Sequence, residues 1–180
     1  TTTASTRATL PTSTSTTSTT HAPTSTTTLP QPGFTRTIGF YKNHPAITAQ
    51  ILGAHGPLMI CGHAISDVDI DHAHSALEAL CLSPQGDQRL QLVRQLTAAA
   101  LSTAAGGGQF DLAPCNAVCA DPGASVESLT ACIDDADAFN NSGDNVRAPW
   151  DPPGRADANP CGLAMATPCT VLDPSACGAP

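Results

Sequence analysis

Residues 87–108 read DQRLQLVRQLTAAALSTAAGGG. Leu90, Val93, Leu96, Ala100 and Leu101 recur at the helical period, so this segment carries an apolar stripe that needs a partner to cover it. Asp87 stands at an N-cap position. The alanines favour helix, and Gly106 to Gly108 stop it. A long amphipathic helix of this kind sets the expectation for the rest of the body: more helices packed around it.

Working outward, SVESLTACIDDADAFNN (residues 125–141) supplies one partner. Ser125 is its expected N-cap, Glu127 suits the first turn, and Val126, Leu129, Ile133 and Ala136 form the stripe with Cys132 on it. On the other side, DVDIDHAHSALEALCLS (residues 67–83) reads as a helix over 72–82 capped by Asp71, with Leu77, Leu80 and Cys81 inward. Earlier still, Asn43 and Pro45 mark a helix start, Ile47, Ile51 and Leu52 share a face, and Gly53 or Gly56 ends it. Residues 58–61 suit a short buried strand or a turn.

The two ends differ from this body. Residues 1–32 hold fifteen Thr, five Ser and four Pro, and only Leu10 and Leu29 are large and apolar. They cannot form a core. Pro11, Pro23, Pro30 and Pro32 block helix, and β-branched Thr favours extended backbone. Ser/Thr-rich tracts with Pro are the composition of O-glycosylated stalks. Thr12, Thr14, Thr16, Thr17, Thr19, Thr20, Thr24, Thr26, Thr27 and Thr28 are the glycosylation candidates. Residues 148–180 contain seven Pro and three Cys, so an irregular segment stapled onto the body is expected there. The chain thus divides into an extended arm (1–32), a helical body (33–147) and an irregular tail (148–180). The fold class is mainly α.

Eight cysteines, Cys61, Cys81, Cys115, Cys119, Cys132, Cys161, Cys169 and Cys177, all lie outside the arm. An even count in a domain with 3% aromatics points to disulfides and an oxidising compartment, with no connectivity fixed by spacing. The absence of Cys-x-x-Cys and Cys-x-x-Cys-His removes support for zinc ribbons and haem attachment.

Composition narrows the partners. The net charge is −8, and all fifteen acidic residues lie in 33–180. An acidic, aromatic-poor surface disfavours nucleic acid and anionic membrane. No run of 18 apolar residues is present, so no membrane span is expected. The chain begins at Thr without a leader, which fits a mature product after signal-peptide removal.

The segment TRTIGFYKNHP (residues 35–45) resembles the RTxGYWKNHP motif of a group of secreted bacterial surface proteins. LVRQLTAAAL and DDADAFNN follow in the order seen there, so the similarity spans roughly residues 35–141. Phe40-Tyr41 replaces the usual Tyr-Trp. The resemblance implies an extracellular, mostly helical, often stalk-linked module and transfers no catalytic residue.

Three constellations bear on chemistry. Asp67, Asp69, Asp71 and Glu78 occupy positions 1, 3, 5 and 12 of an EF-hand-type loop, making calcium a possible ligand. His72 at position 6 and His74 at position 8 break that pattern, and helix capping by Asp71 competes with it. His63, His72 and His74 are candidate transition-metal ligands, although a two-residue spacing makes His72 and His74 diverge on a helix. Asn140-Asn141-Ser142 matches the N-glycosylation sequon. Neither Gly-x-Ser-x-Gly nor His-Glu-x-x-His occurs, and GGGQF lacks the Lys-Ser/Thr of a phosphate loop.

The sequence therefore points to a non-enzymatic extracellular structural subunit. Copies of itself, joined head-to-tail through the arm, and covalent glycans are its expected partners. A stalk-borne calcium-binding adhesion module and a secreted metalloenzyme are the alternatives.

Overall fold

The structure, a computed structural model, describes residues 33–70, 72–162 and Leu172. The arm, with its ten candidate threonines, and Cys169 and Cys177 lie outside the described residues, as does Asp71. The body is mainly helical and stapled by disulfides. Its order is α1 (Ile38–Asn43), α2 (Pro45–His55), β1 (Leu58–Ile60), β2 (His63–Ile65), α3 (Ala76–Cys81), α4 (Gln88–Ala104), α5 (Leu112–Ala120) and α6 (Val126–Ser142).

Helix α4 is the axis of the molecule. The Asp87 carboxylate accepts from the Arg89 and Leu90 amides and caps it. Gly106, at φ 78°, ends it in the left-handed region. Residues 95–102 are all buried, with α1, α2, α3, α5, α6 and β1 packed around them. The sequence suggested one apolar stripe. The structure covers α4 on every side, because Ala98, Ala99 and Ala100 leave room for neighbours to approach closely, and Gln95, Thr97 and Ser102 find hydrogen-bond partners inside.

The start of the body holds two helices where the sequence suggested one. Thr37 caps α1, His44 is the joint, and Pro45 takes the first position of α2, where its missing N–H costs nothing. Gly56, at φ 89°, terminates α2, while Gly53 stays inside it. The next segment is an antiparallel hairpin with Leu58 opposite Ile65 and Ile60 opposite His63. Its two-residue turn is Cys61-Gly62, both at positive φ (53° and 82°), the backbone of a type I′ turn.

Helix α3 starts later than the sequence suggested. Ser75, not Asp71, is the cap: its hydroxyl accepts from the Leu77 and Glu78 amides. His72 and His74 are therefore outside the helix. In α6, Ser125 caps as expected and Leu129, Cys132, Ala136 and Phe139 are buried. Val126 is 61% exposed, so the buried stripe begins one turn later.

Three disulfides hold these elements. Cys61–Cys119 joins the hairpin turn to α5, Cys115–Cys132 joins α5 to α6, and Cys81–Cys161 joins α3 to the tail, with Cα separations of 4.9, 5.5 and 5.4 Å. Residues 148–162 contain no helix or strand. They are nonetheless fixed to the body: Trp150 packs on the core, Ala148 and Cys161 are buried, and the Asp157 amide donates to the Asn43 carbonyl. No helix of the described residues is long and apolar enough to cross a membrane.

Candidate functional site

The residues just after the arm are densely bonded to the body. Phe34, Thr35 and Arg36 are buried although no secondary-structure element contains them. The Thr35 amide donates to the Gly143 carbonyl at 3.2 Å, and the Gly108 amide donates to the Phe34 carbonyl at 2.9 Å. The Thr35 hydroxyl donates to the Asn140 carbonyl at 3.1 Å and accepts from the Gly143 amide at 2.8 Å. The segment is thus threaded between the ends of α4 and α6. Glycine is required on both sides, since a Cβ at Gly107 would strike the Phe34 carbonyl and one at Gly143 the Gly33 carbonyl.

Arg36 completes the anchor. Its guanidinium donates to the carbonyls of Thr35, Gly143 and Val146 and to the Asp151 carboxylate at 2.8 Å. It also lies over the rings of Phe34 and Phe40, with centroid distances of 6.0 and 5.5 Å. Trp150 closes this arrangement, edge-on to Phe34 and stacked beside Phe40. Asp151 accepts the Ala148 amide as well, so one carboxylate fixes the arm root and the start of the tail together.

The rest of the TRTIGFYKNHP motif is likewise used for construction. Thr37 caps α1. Phe40 stacks on His44, whose Nδ1 bonds the Phe40 carbonyl at 2.9 Å. Tyr41 is fully buried, its hydroxyl 3.0 Å from that of Ser102, and burial pushes its pKa far above the ordinary tyrosine range. The Thr48 hydroxyl donates to the Tyr41 carbonyl at 3.0 Å. These side chains join α1, α2 and α4.

Of the four residues suggested for calcium, Asp67, Asp69 and Glu78 are described. Asp67 accepts from the Asp69 amide through one oxygen, and from Ser66 Oγ and His72 through the other. Asp69 is exposed, whereas Glu78 is 2% exposed in the first turn of α3. His74 bonds the Ala64 carbonyl, and its ring meets His72 edge-on at 5.6 Å. Among the described residues, no three His, Cys, Asp or Glu side chains are placed to hold a metal ion. The sequon asparagine, Asn140, is 1% exposed and donates both Nδ2 bonds to Gln95, so the folded chain offers no room for a glycan there.

A second feature was not foreseen from sequence. A groove of about 530 Å³ lies between the loop leading into α5 and one face of α6. Phe110, Pro114, Ala138 and Phe139 make its apolar floor, and Asp111 and Asp135 line it with carboxylates. The Phe110 and Phe139 rings are 5.1 Å apart. Cys115 and Cys119, four residues apart, could have revealed α5, because that spacing puts both on one helix face. Pro114 masked the signal; it falls in the first turn, where proline is tolerated.

No protein-family model, curated protein or solved structure matches this chain.

Proposed function

We propose that this protein is a structural subunit of an extracellular filament or surface appendage, joined head-to-tail through its N-terminal arm. The single observation that carries the proposal is the arm root. A subunit that transmits tension through an arm needs the arm fastened to the body more firmly than a loop fastens a domain. Here the first residues after the arm are clamped by main-chain bonds between two helix ends and by the Arg36 fork to Asp151. Cys81–Cys161 then ties the tail, which Asp151 also holds, to α3.

Other features support the same reading. Disulfides suit an oxidising exterior. The Thr/Ser/Pro composition of residues 1–32 is that of O-glycosylated stalks. The buried Tyr41 hydroxyl, bonded to Ser102, serves helix packing. The resemblance of TRTIGFYKNHP to secreted surface proteins points to the same exterior setting.

The test is electron microscopy of the native extracellular material together with intact-mass analysis. The expected result is fibres whose subunit mass exceeds that of the bare chain by attached sugar, with paired thiols. A monodisperse, unmodified monomer in that material would overturn the proposal.

A further inference from the structure

We infer that the groove between Phe110 and Phe139 is the receptor for the arm of a second copy, which inserts its Arg7–Pro11 segment there; this rests on the filament reading above. The groove has two chemical demands. Its floor is apolar, and two aspartates line it. An occupant should therefore present a compact apolar group with a cation beside it.

The arm contains one segment of that kind. Arg7 is the only basic Lys or Arg residue in residues 1–32, and Leu10 and Pro11 follow it in TRATLP. In an extended polyproline-like chain three residues make one turn, so Arg7 and Leu10 fall on the same side. Leu10 then meets the Phe110 and Phe139 rings while Arg7 meets Asp111 and Asp135. Leu29, the other large apolar residue of the arm, has no cation near it.

Reach and stiffness favour a second copy as the donor. The 22 residues between Leu10 and the clamped Gly33 span roughly 70 Å when extended at about 3.1 Å each. A body of this size is roughly 40 Å across. The arm root lies against Gly107, Gly108 and Gly143, directly beside the groove residues Gln109 and Ser142. With the root this close, an arm that entered its own groove would have to reverse its course within those 22 residues. Residues 1–32 contain no Gly, Asn or Asp, the residues that most readily reverse a chain.

The experiment uses the full-length chain in four forms: wild type, Arg7→Glu, Asp135→Arg, and an equimolar mixture of the two variants. Asp135 is exposed on α6, and circular dichroism checks that each form is folded. Assembly is read by sedimentation and electron microscopy. Wild type is expected to assemble, each variant alone to lose at least about tenfold in assembled fraction through like-charge contact, and the mixture to recover it. Recovery in the mixture supports insertion between copies, since each arm then faces a groove of opposite charge. If wild type and both variants assemble equally, the groove is not the receptor, although the filament reading survives. If the variants fail and the mixture does not recover, the arm binds its own groove or none, and the inference is overturned. If wild type itself never assembles, the filament reading falls and takes the inference with it.

Discussion

Arg36 shows how much a single residue can organise. Its side chain is 6% exposed and bonds three carbonyls and one carboxylate, so removing it takes a charged partner from Asp151 and a donor from each of the three carbonyls. Breaking a buried pair costs about 3–5 kcal/mol, and Asp151, at 23% exposure, moderates that to about 2–4 kcal/mol for Arg36→Ala. Denaturant unfolding followed by the fluorescence of Trp150, the only tryptophan, measures it. Arg36→Lys keeps the charge but not the fork, and should recover less than half of the loss. Tyr41 gives a pH dependence. Burial raises its pKa above the ordinary 10.0. Below pH 10 both folded and unfolded chains keep the proton. Above it the unfolded chain loses the proton first, so the native state binds more protons and stability falls as pH rises. Tyr41 is the only tyrosine, so tyrosinate absorbance should appear together with alkaline unfolding and not before it. Tyr41→Phe should flatten stability above pH 10, at a cost of about 1 kcal/mol for the lost Ser102 bond.

At the scale of elements, caps and glycines explain where the helices begin and end. Asp87, Ser125 and Gly106 were readable because each acts within four residues of itself, whereas the choice of Gly56 over Gly53 was not. The start of α3 was not. Asp71 and Ser75 are both chemically able to cap, and the choice of Ser75 goes with pairing of Asp67 and Ser75 and the bond from the Ala76 amide to the Asp67 carbonyl. Ser75→Ala should therefore cost about 1 kcal/mol or more in thermal or denaturant unfolding. Within α4, Leu101→Ala should cost about 2–5 kcal/mol in the same assay, because Leu101 is fully buried on a helix packed from all sides.

Over the whole molecule, the disulfides join parts that local interactions cannot. Cys115–Cys132 closes 17 residues and Cys81–Cys161 closes 80. Loop-closure entropy assigns them about 3 and about 4.5 kcal/mol, so removing Cys81–Cys161 should destabilise the fold more than removing Cys115–Cys132. Non-reducing peptide mapping should recover 61–119, 81–161 and 115–132, and stability of the Cys81→Ala/Cys161→Ala chain should fall further than that of Cys115→Ala/Cys132→Ala. The candidate site belongs to this scale too. Arg36 in the sequence is an ordinary basic residue; its role appears only when Gly143, Val146 and Asp151, more than a hundred positions away, close around it. The groove is assembled in the same manner from the α4–α5 connection and α6.

The sequence alone determined what depends on neighbours a few positions apart: the helical period of α4 and α6, the Asp87 and Ser125 caps, the glycine stop after α4 and the irregular course of residues 148–162. Tertiary structure decided the disulfide partners, the burial of α4 on all sides, the shift of the α3 cap to Ser75, the enclosure of Asn140 and the clamp around Arg36. All but the Ser75 cap, which follows its pairing with Asp67 eight positions earlier, depend on groups brought together across longer stretches of chain, and pairings of either kind leave no periodicity to read, because packing selects them from many chemically equivalent choices.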